Sequence, residues 1–137
     1  MTTATDASIL FDILGGDPQF FALSLAALAQ CLDDGPVVVC DVVWAEVTAA
    51  YARFADGSHP LETMGLRYDP ILAPAAELAG AVWGSYRKRG GPRTRLIPDF
   101  LVGAHALTQA DRLLTRDRGF RREYFPGLLV IDPTESG

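Results

Sequence analysis

Short, wholly apolar runs along this chain alternate with longer stretches in which apolar residues return every three or four positions. The run Val37-Val38-Val39-Cys40 is apolar and mostly β-branched, which predicts a strand buried on both faces. A short strand is predicted to run into Asp6. Leu113 to Thr115 and Leu128 to Ile131 supply two more, and Leu66 to Tyr68 a small one. Ser8 is placed to cap a brief helix from Ile9 to Leu14, closed by Gly15-Gly16. Asp17-Pro18 reads as an N-cap followed by proline at the first helical position, opening a helix to about Leu32. After the turn Asp33-Asp34-Gly35-Pro36 and the central strand, Asp41 caps a helix from Val42 to about Phe54. Residues 55–60 form a loop, and a short helix follows through Met64. Pro74 begins a helix to about Arg89, Pro98 one to Ala110, and Arg118 to Tyr124 a turn of helix.

Apolar strands alternating with helices predict an α/β fold, a mostly parallel sheet covered by helices on both faces. At 137 residues the chain is expected to form one domain over 1–137. Nearly half the residues (49%) are hydrophobic and 21% are charged, which predicts a packed core and excludes disorder. The N-terminus lacks a basic region and carries Asp6 and Asp12, unlike a signal peptide. The longest apolar stretch, Phe20 to Leu32, is too short to span a bilayer, so no membrane association is expected. Cys31 and Cys40 match neither a CxxC nor a zinc pattern and are expected to be reduced core thiols of a cytoplasmic protein.

The net charge of −5 hides a split. Residues 1–86 hold eleven acids against Arg53 and Arg67, a net −9, whereas residues 87–137 hold ten basic residues against six acids, a net +4. Such a split suits a protein that holds cations on one surface and phosphates on another, or it simply solvates two faces.

The acids fall in a pattern. In open α/β sheets, ligands bind beyond the carboxyl ends of the strands. Asp6 ends the first strand, and Asp117 follows Leu114-Thr115 by two residues. Glu46 lies in the second turn of the helix after Val37–Cys40, and Asp99 in the first turn after Pro98. All four are therefore expected to converge on one edge. Each has a plainer alternative: Asp6 as an N-cap, Asp99 as a favourable charge at a helix N-terminus, Asp117 as a turn residue. Glu46 borders the apolar stripe Val43, Val47, Ala50, Phe54, and a carboxylate at a core margin needs a partner. Val102, Gly103 and Ala106 leave room beside Asp99 and offer it no countercharge. Clustered carboxylates repel, and hard divalent cations such as Mg²⁺ or Mn²⁺ resolve that repulsion through oxygen ligands. Two such ions about 4 Å apart can activate a water and stabilise the leaving oxygen of a phosphodiester.

These motifs resemble the PIN-domain family, and within it the VapC-type toxin ribonucleases of bacterial toxin–antitoxin pairs. Thr5-Asp6-Ala7-Ser8-Ile9-Leu10 resembles the first motif, with Ala7 where many members carry a hydroxyl residue. Val42-Val43-Trp44-Ala45-Glu46-Val47 resembles the second. Ile97-Pro98-Asp99-Phe100-Leu101-Val102-Gly103-Ala104-His105-Ala106 resembles the third, and Leu113-Leu114-Thr115-Arg116-Asp117-Arg118-Gly119-Phe120 the fourth. The match spans nearly the whole chain in the family's order. It implies a three-layer fold and an endoribonuclease dependent on Mg²⁺ or Mn²⁺. It also implies an RNA substrate, a cognate VapB-like antitoxin, and commonly a homodimer. By the resemblance, Asp6, Asp99 and Asp117 bind metal and Glu46 completes the site or orients a water. Ser8 and Thr115 support it.

The basic loop Arg87–Arg95, with Arg93 and Arg95, is a candidate for RNA phosphate, for an acidic antitoxin segment, or for solvent; Arg116, Arg118, Arg121 and Arg122 are further phosphate candidates. Tyr86 and Tyr124 are expected to pack at the core edge. His105 points away from Asp99, which favours a structural or interface role, and His59 is read as a loop residue. A phosphatase is disfavoured because Ser8 stands where its second aspartate belongs, and a P-loop is absent. A PIN nuclease that processes RNA or cuts DNA, and a catalytically silent binding module, stay open.

Overall fold

The computed structural model describes residues 1–92 and 95–135. Five strands, β1 (Thr3–Thr5), β2 (Val37–Val39), β3 (Arg67–Tyr68), β4 (Arg112–Leu114) and β5 (Leu129–Ile131), form one all-parallel sheet in the order β3-β2-β1-β4-β5. Ala4 pairs with Val38 on one side and Leu113 on the other, so this row across the centre of the sheet is apolar and buried. Among the described residues seven helices join the strands: α1 (Ala7–Leu14), α2 (Phe21–Asp34), α3 (Asp41–Ala50), α4 (Pro60–Thr63), α5 (Ala73–Lys88), α6 (Ile97–Gln109) and α7 (Arg118–Tyr124).

From β1 the chain moves toward β2, and from β4 it moves the opposite way to β5. Right-handed crossovers then put α1–α4 over one face of the sheet and α5–α7 over the other, which makes three layers. The reversal leaves a crevice at the carboxyl ends of β1 and β4, where such sheets bind ligands.

The apolar residues of β2, β4 and the inner helix faces supply the core; Ile9, Leu10, Val37, Val39, Phe100, Leu113 and Leu114 have no exposed surface. Each such side chain contributes about 1.5–3 kcal/mol by burial. Tyr86 on α5, Phe100 on α6, and Phe120 and Tyr124 on α7 pack largely edge to face with centroids 5.2–6.0 Å apart, tying these helices together. The two tyrosines are packing residues, as expected.

Four local expectations need correction. The helix after β1 begins at Ala7 with Asp6 at its N-cap, so Ser8 lies inside the first turn. Asp17 accepts from the amides of Gln19 and Phe20 and closes a separate turn, and α2 starts only at Phe21. Helix α3 ends at Ala50, which leaves Phe54 outside it and half exposed; only Val43 and Val47 of the expected stripe are buried. His59 is fully buried at the N-cap of α4. Its Nδ1 accepts from the Leu61 amide at 3.1 Å, which leaves Nε2–H to donate to Thr48 Oγ1 at 2.7 Å, and its ring stacks on Trp44. Burial, and then the charge of Arg53, hold its pKa below the ordinary histidine range.

His105 is structural: it is buried on α6 with Nε2 2.8 Å from Asp69 beyond β3. Cys31 and Cys40 are free and buried, and burial pushes the Cys40 thiol up to about 11. No helix among the described residues is long and apolar enough to cross a membrane.

Candidate active site

At the end of β1 the backbone of Asp6 is still extended, and its amide donates to the Leu114 carbonyl at 3.3 Å. That bond ties the end of β1 to the end of β4. The Asp6 carboxylate does not cap α1. Instead Oδ1 accepts from the Ser8 hydroxyl at 2.6 Å and Oδ2 from the Thr115 hydroxyl. The same Thr115 oxygen accepts from the Asp117 amide at 2.9 Å. One buried threonine therefore sets both the Asp6 carboxylate and the backbone that carries Asp117. Only 5% of Asp6 is exposed, so hydroxyl donors replace the water it loses.

Asp99 sits at the third position of α6, where Oδ2 accepts from the Leu96 amide at 3.1 Å. It is half of a capping box, because Leu96 has no polar side chain to complete it. The room expected beside Gly103 is filled by the Phe125 ring, and a methyl group there would collide with it. Asp117, at the N-cap of α7, gives both carboxylate oxygens to Arg95, at 2.6 and 3.1 Å.

Asp6, Glu46, Asp99 and Asp117 line one cleft of ≈ 180 Å³, together with Ser8 and Arg121 and with walls of Val43, Pro98 and Val102. Glu46 is an exposed residue at this cleft, not the core-margin carboxylate its stripe suggests. Desolvation, and then the negative charges of Asp99 and Asp6, still hold its pKa above the usual carboxylate range; Arg121 opposes them.

The basic residues divide sharply. Arg116 turns away from the cleft and grips the buried Asp12 with two bonds, at 2.7 and 2.9 Å. Arg118 pairs with Asp132 and Glu135. Neither lines the cleft. Arg112 on Asp34 and Arg116 on Asp12 tie basic residues of the second half to acids of the first, so the two halves of the charge split interlock there, whereas the Arg118 pairs stay within the second half. Arg95 also lines a larger groove of ≈ 650 Å³, with Trp83, Tyr86, Arg87 and Leu96. Arg93 lies outside the described residues.

Arg121, in the sequence one of four arginines offered as phosphate candidates, is the one the structure places in the cleft. It is 4% exposed and reaches into the cleft. One terminal nitrogen donates to the Asp99 main-chain oxygen, and the other lies 3.8 Å from Asp6 Oδ2. The available signal was its spacing, one helical turn after Asp117.

The donors present are carboxylate and hydroxyl oxygens, which suit a hard divalent cation and not a soft one. Among the described residues no three acidic, histidine or cysteine side chains are gathered closely enough to enclose an ion as they stand. Asp117 gives both oxygens to Arg95, so a cation competes with that pair, whereas Asp99 is engaged by the Leu96 amide through Oδ2 alone.

The PIN domain family model matches residues 4–126. No curated protein is similar enough to count as a match. Solved structures share the fold. VapBC-1 from nontypeable Haemophilus influenzae is 19% identical, with a TM-score of 0.71 over 98% of this chain and 100% of that one. FitAcB from Neisseria gonorrhoeae is 20% identical, with a TM-score of 0.70 over 98% and 99%. VapBC2 from Rickettsia felis, bound to a DNA fragment from its promoter, is 18% identical, with a TM-score of 0.68 over 96% and 98%.

Proposed function

Because the chain belongs to the PIN-domain family, we propose that it is a metal-dependent endoribonuclease, the toxin of a toxin–antitoxin pair. One observation carries the reading: four carboxylates from four separate segments line a single cleft at the switch point of the sheet. In this reading Asp6, Asp99 and Asp117 hold Mg²⁺ or Mn²⁺, and Glu46 completes the set or orients a water. Ser8 and Thr115 hold Asp6, and Arg95, with Arg93, meets RNA phosphate. A bound divalent ion supplies Lewis acidity toward a phosphoryl oxygen and countercharge for the transition state.

The position of Glu46 in the same cleft as Asp6 and Asp99, whose charges it feels, supports its completing the set or orienting a water. The partners follow from the likeness to VapBC and FitAcB. We assign the chain a VapB-like antitoxin, a homodimeric assembly, a single domain over 1–137 and a cytoplasmic setting.

The test is cleavage of single-stranded RNA and matched DNA with Mn²⁺, Mg²⁺ or EDTA, alongside Asp99→Asn. Expected are RNA cleavage with either ion, none with EDTA, and loss of activity in the variant. Cleavage that survives EDTA, or a fully active Asp99→Asn, would sink the mechanism. Cleavage of DNA alone would make it a DNA nuclease.

A further inference from the structure

We propose that Arg121 is a built-in second cation of the cleft, so that its four carboxylates take one divalent ion and not two. The proposal rests on reading the cleft as a divalent-metal site and goes beyond it by setting the number of ions.

The first argument is the coordination left at Asp6. Two ions about 4 Å apart are held by a carboxylate that bridges them, one oxygen to each. Asp6 Oδ2 already accepts from Thr115 and faces the guanidinium of Arg121 at 3.8 Å. Oδ1 has only the Ser8 hydroxyl and no cation beside it. Each oxygen carries one hydrogen bond, and the charge of Arg121 beside Oδ2 sets the two apart, because an ion approaching Oδ2 meets the guanidinium. Asp6 is thus arranged to serve a single cation on its Oδ1 side.

Charge is the second argument. An arginine stays charged at every working pH, so Arg121 contributes a fixed positive charge inside the acidic cluster. One divalent ion and Arg121 together bring three positive charges against four carboxylates. A second ion would overshoot the cluster and meet the guanidinium at close range. Arg95 cannot take this role, because it is about a third exposed and, of the four carboxylates, is bonded to Asp117 alone.

Placement is the third. Arg121 is held from below by the Asp99 main-chain oxygen, and its buried Nε finds no hydrogen-bond partner among the described residues. A buried guanidinium with an unused donor is costly as a purely structural element. Its position beside Asp6 and Asp99 gives that cost a use: it brings a fixed positive charge to the carboxylates that a second ion would otherwise have to neutralise. Arg121 is in these terms a positioning residue for the cluster.

The experiment counts Mn²⁺ per chain at equilibrium, from the electron paramagnetic resonance signal of the free ion, for the wild type, Arg121→Lys and Arg121→Met. Expected is one ion per chain in the wild type and in Arg121→Lys, which keeps the charge. Arg121→Met should take a second ion, or hold the first about tenfold more tightly with the repulsion gone. Two ions of comparable affinity in the wild type would overturn the inference, and so would an Arg121→Met variant identical to the wild type in number and affinity. If Arg121→Met fails to fold, the count in the wild type and Arg121→Lys decides, since two ions in either refutes it. No uptake by the wild type would instead defeat the reading of the cleft as a metal site.

Discussion

The guanidinium of Arg95 closes on both carboxylate oxygens of Asp117, joining the larger groove to the small acidic cleft. The two side chains are 32% and 35% exposed, so water competes for both partners. Pairs of this kind contribute about 0–1 kcal/mol and exchange easily. In the proposed reading, a phosphate arriving along the groove would take Arg95 and leave Asp117 to a cation, and the pair would couple the two binding events.

Arg95→Gln separates them. Asp117 is then free, and Mn²⁺ should bind up to about fivefold more tightly, the most an exposed pair holds back. RNA should bind more weakly at low salt, with the salt slope shallower by about one. Metal titration and a salt series of RNA binding measure the two effects. If neither moves, Arg95 belongs to solvent.

Thr115 is the hinge of the site, because one hydroxyl donates to Asp6 and accepts from the Asp117 amide. Thr115→Val keeps the shape and strands both partners, which should cost about 1–3 kcal/mol of stability. Cleavage should fall at least about tenfold, the equivalent of 1.36 kcal/mol in the barrier. Thr115→Ser restores the hydroxyl and should recover most of both. Urea unfolding and initial cleavage rates decide it; an active, stable Thr115→Val would remove Thr115 from the site.

Much of this was legible in the sequence for a local reason. Val37–Val39 and Leu113–Leu114 sit in short apolar runs too brief for a helix, and such runs read as interior strands. Asp6, Asp99 and Asp117 are found through strand ends and a proline-marked helix start, which are also local signals. Arg121 was not legible as a cleft residue. The segment from Arg116 to Arg122 carries four arginines, and which one turns inward depends on how α7 rotates against Phe100. The partner of Arg121 is a main-chain oxygen on α6, which leaves no trace in sequence. Arg116 and Asp12 lie 104 residues apart, so their pairing was equally hidden.

That pair predicts a division of labour among the arginines. Asp12 is 3% exposed and accepts from Arg116 and from the Ser24 hydroxyl. Removing one partner of a buried pair costs about 3–5 kcal/mol, and the partial exposure of Arg116 sets the lower end here. Asp12→Ala should therefore lose about 3 kcal/mol in urea unfolding. Arg116→Met should also destabilise the chain, yet its RNA affinity per folded molecule should match the wild type. A selective loss of RNA binding in Arg116→Met would return Arg116 to the phosphate contacts.

Glu46 supplies a pH test of the whole cluster. Partial desolvation in the cleft, then Asp99 and Asp6, raise its pKa in the folded chain above the ordinary 4.5. Below 4.5 Glu46 is protonated in both states and makes no difference. As pH rises through the window between that value and the raised one, the unfolded chain loses the proton first and the folded chain loses stability. Above the window the penalty is fully present. Glu46→Gln cannot ionise, so in EDTA it should melt above the wild type at pH 7.5, and the difference should vanish near pH 4. Millimolar Mn²⁺ should reverse the order at pH 7.5, because an ion bound only to the folded cluster stabilises the wild type and finds one acid fewer in the variant. Melting curves at three pH values, with and without Mn²⁺, read both effects. A difference that stays constant with pH would mean that Glu46 does not feel Asp6 and Asp99. An order unchanged by Mn²⁺ would remove Glu46 from the metal's surroundings.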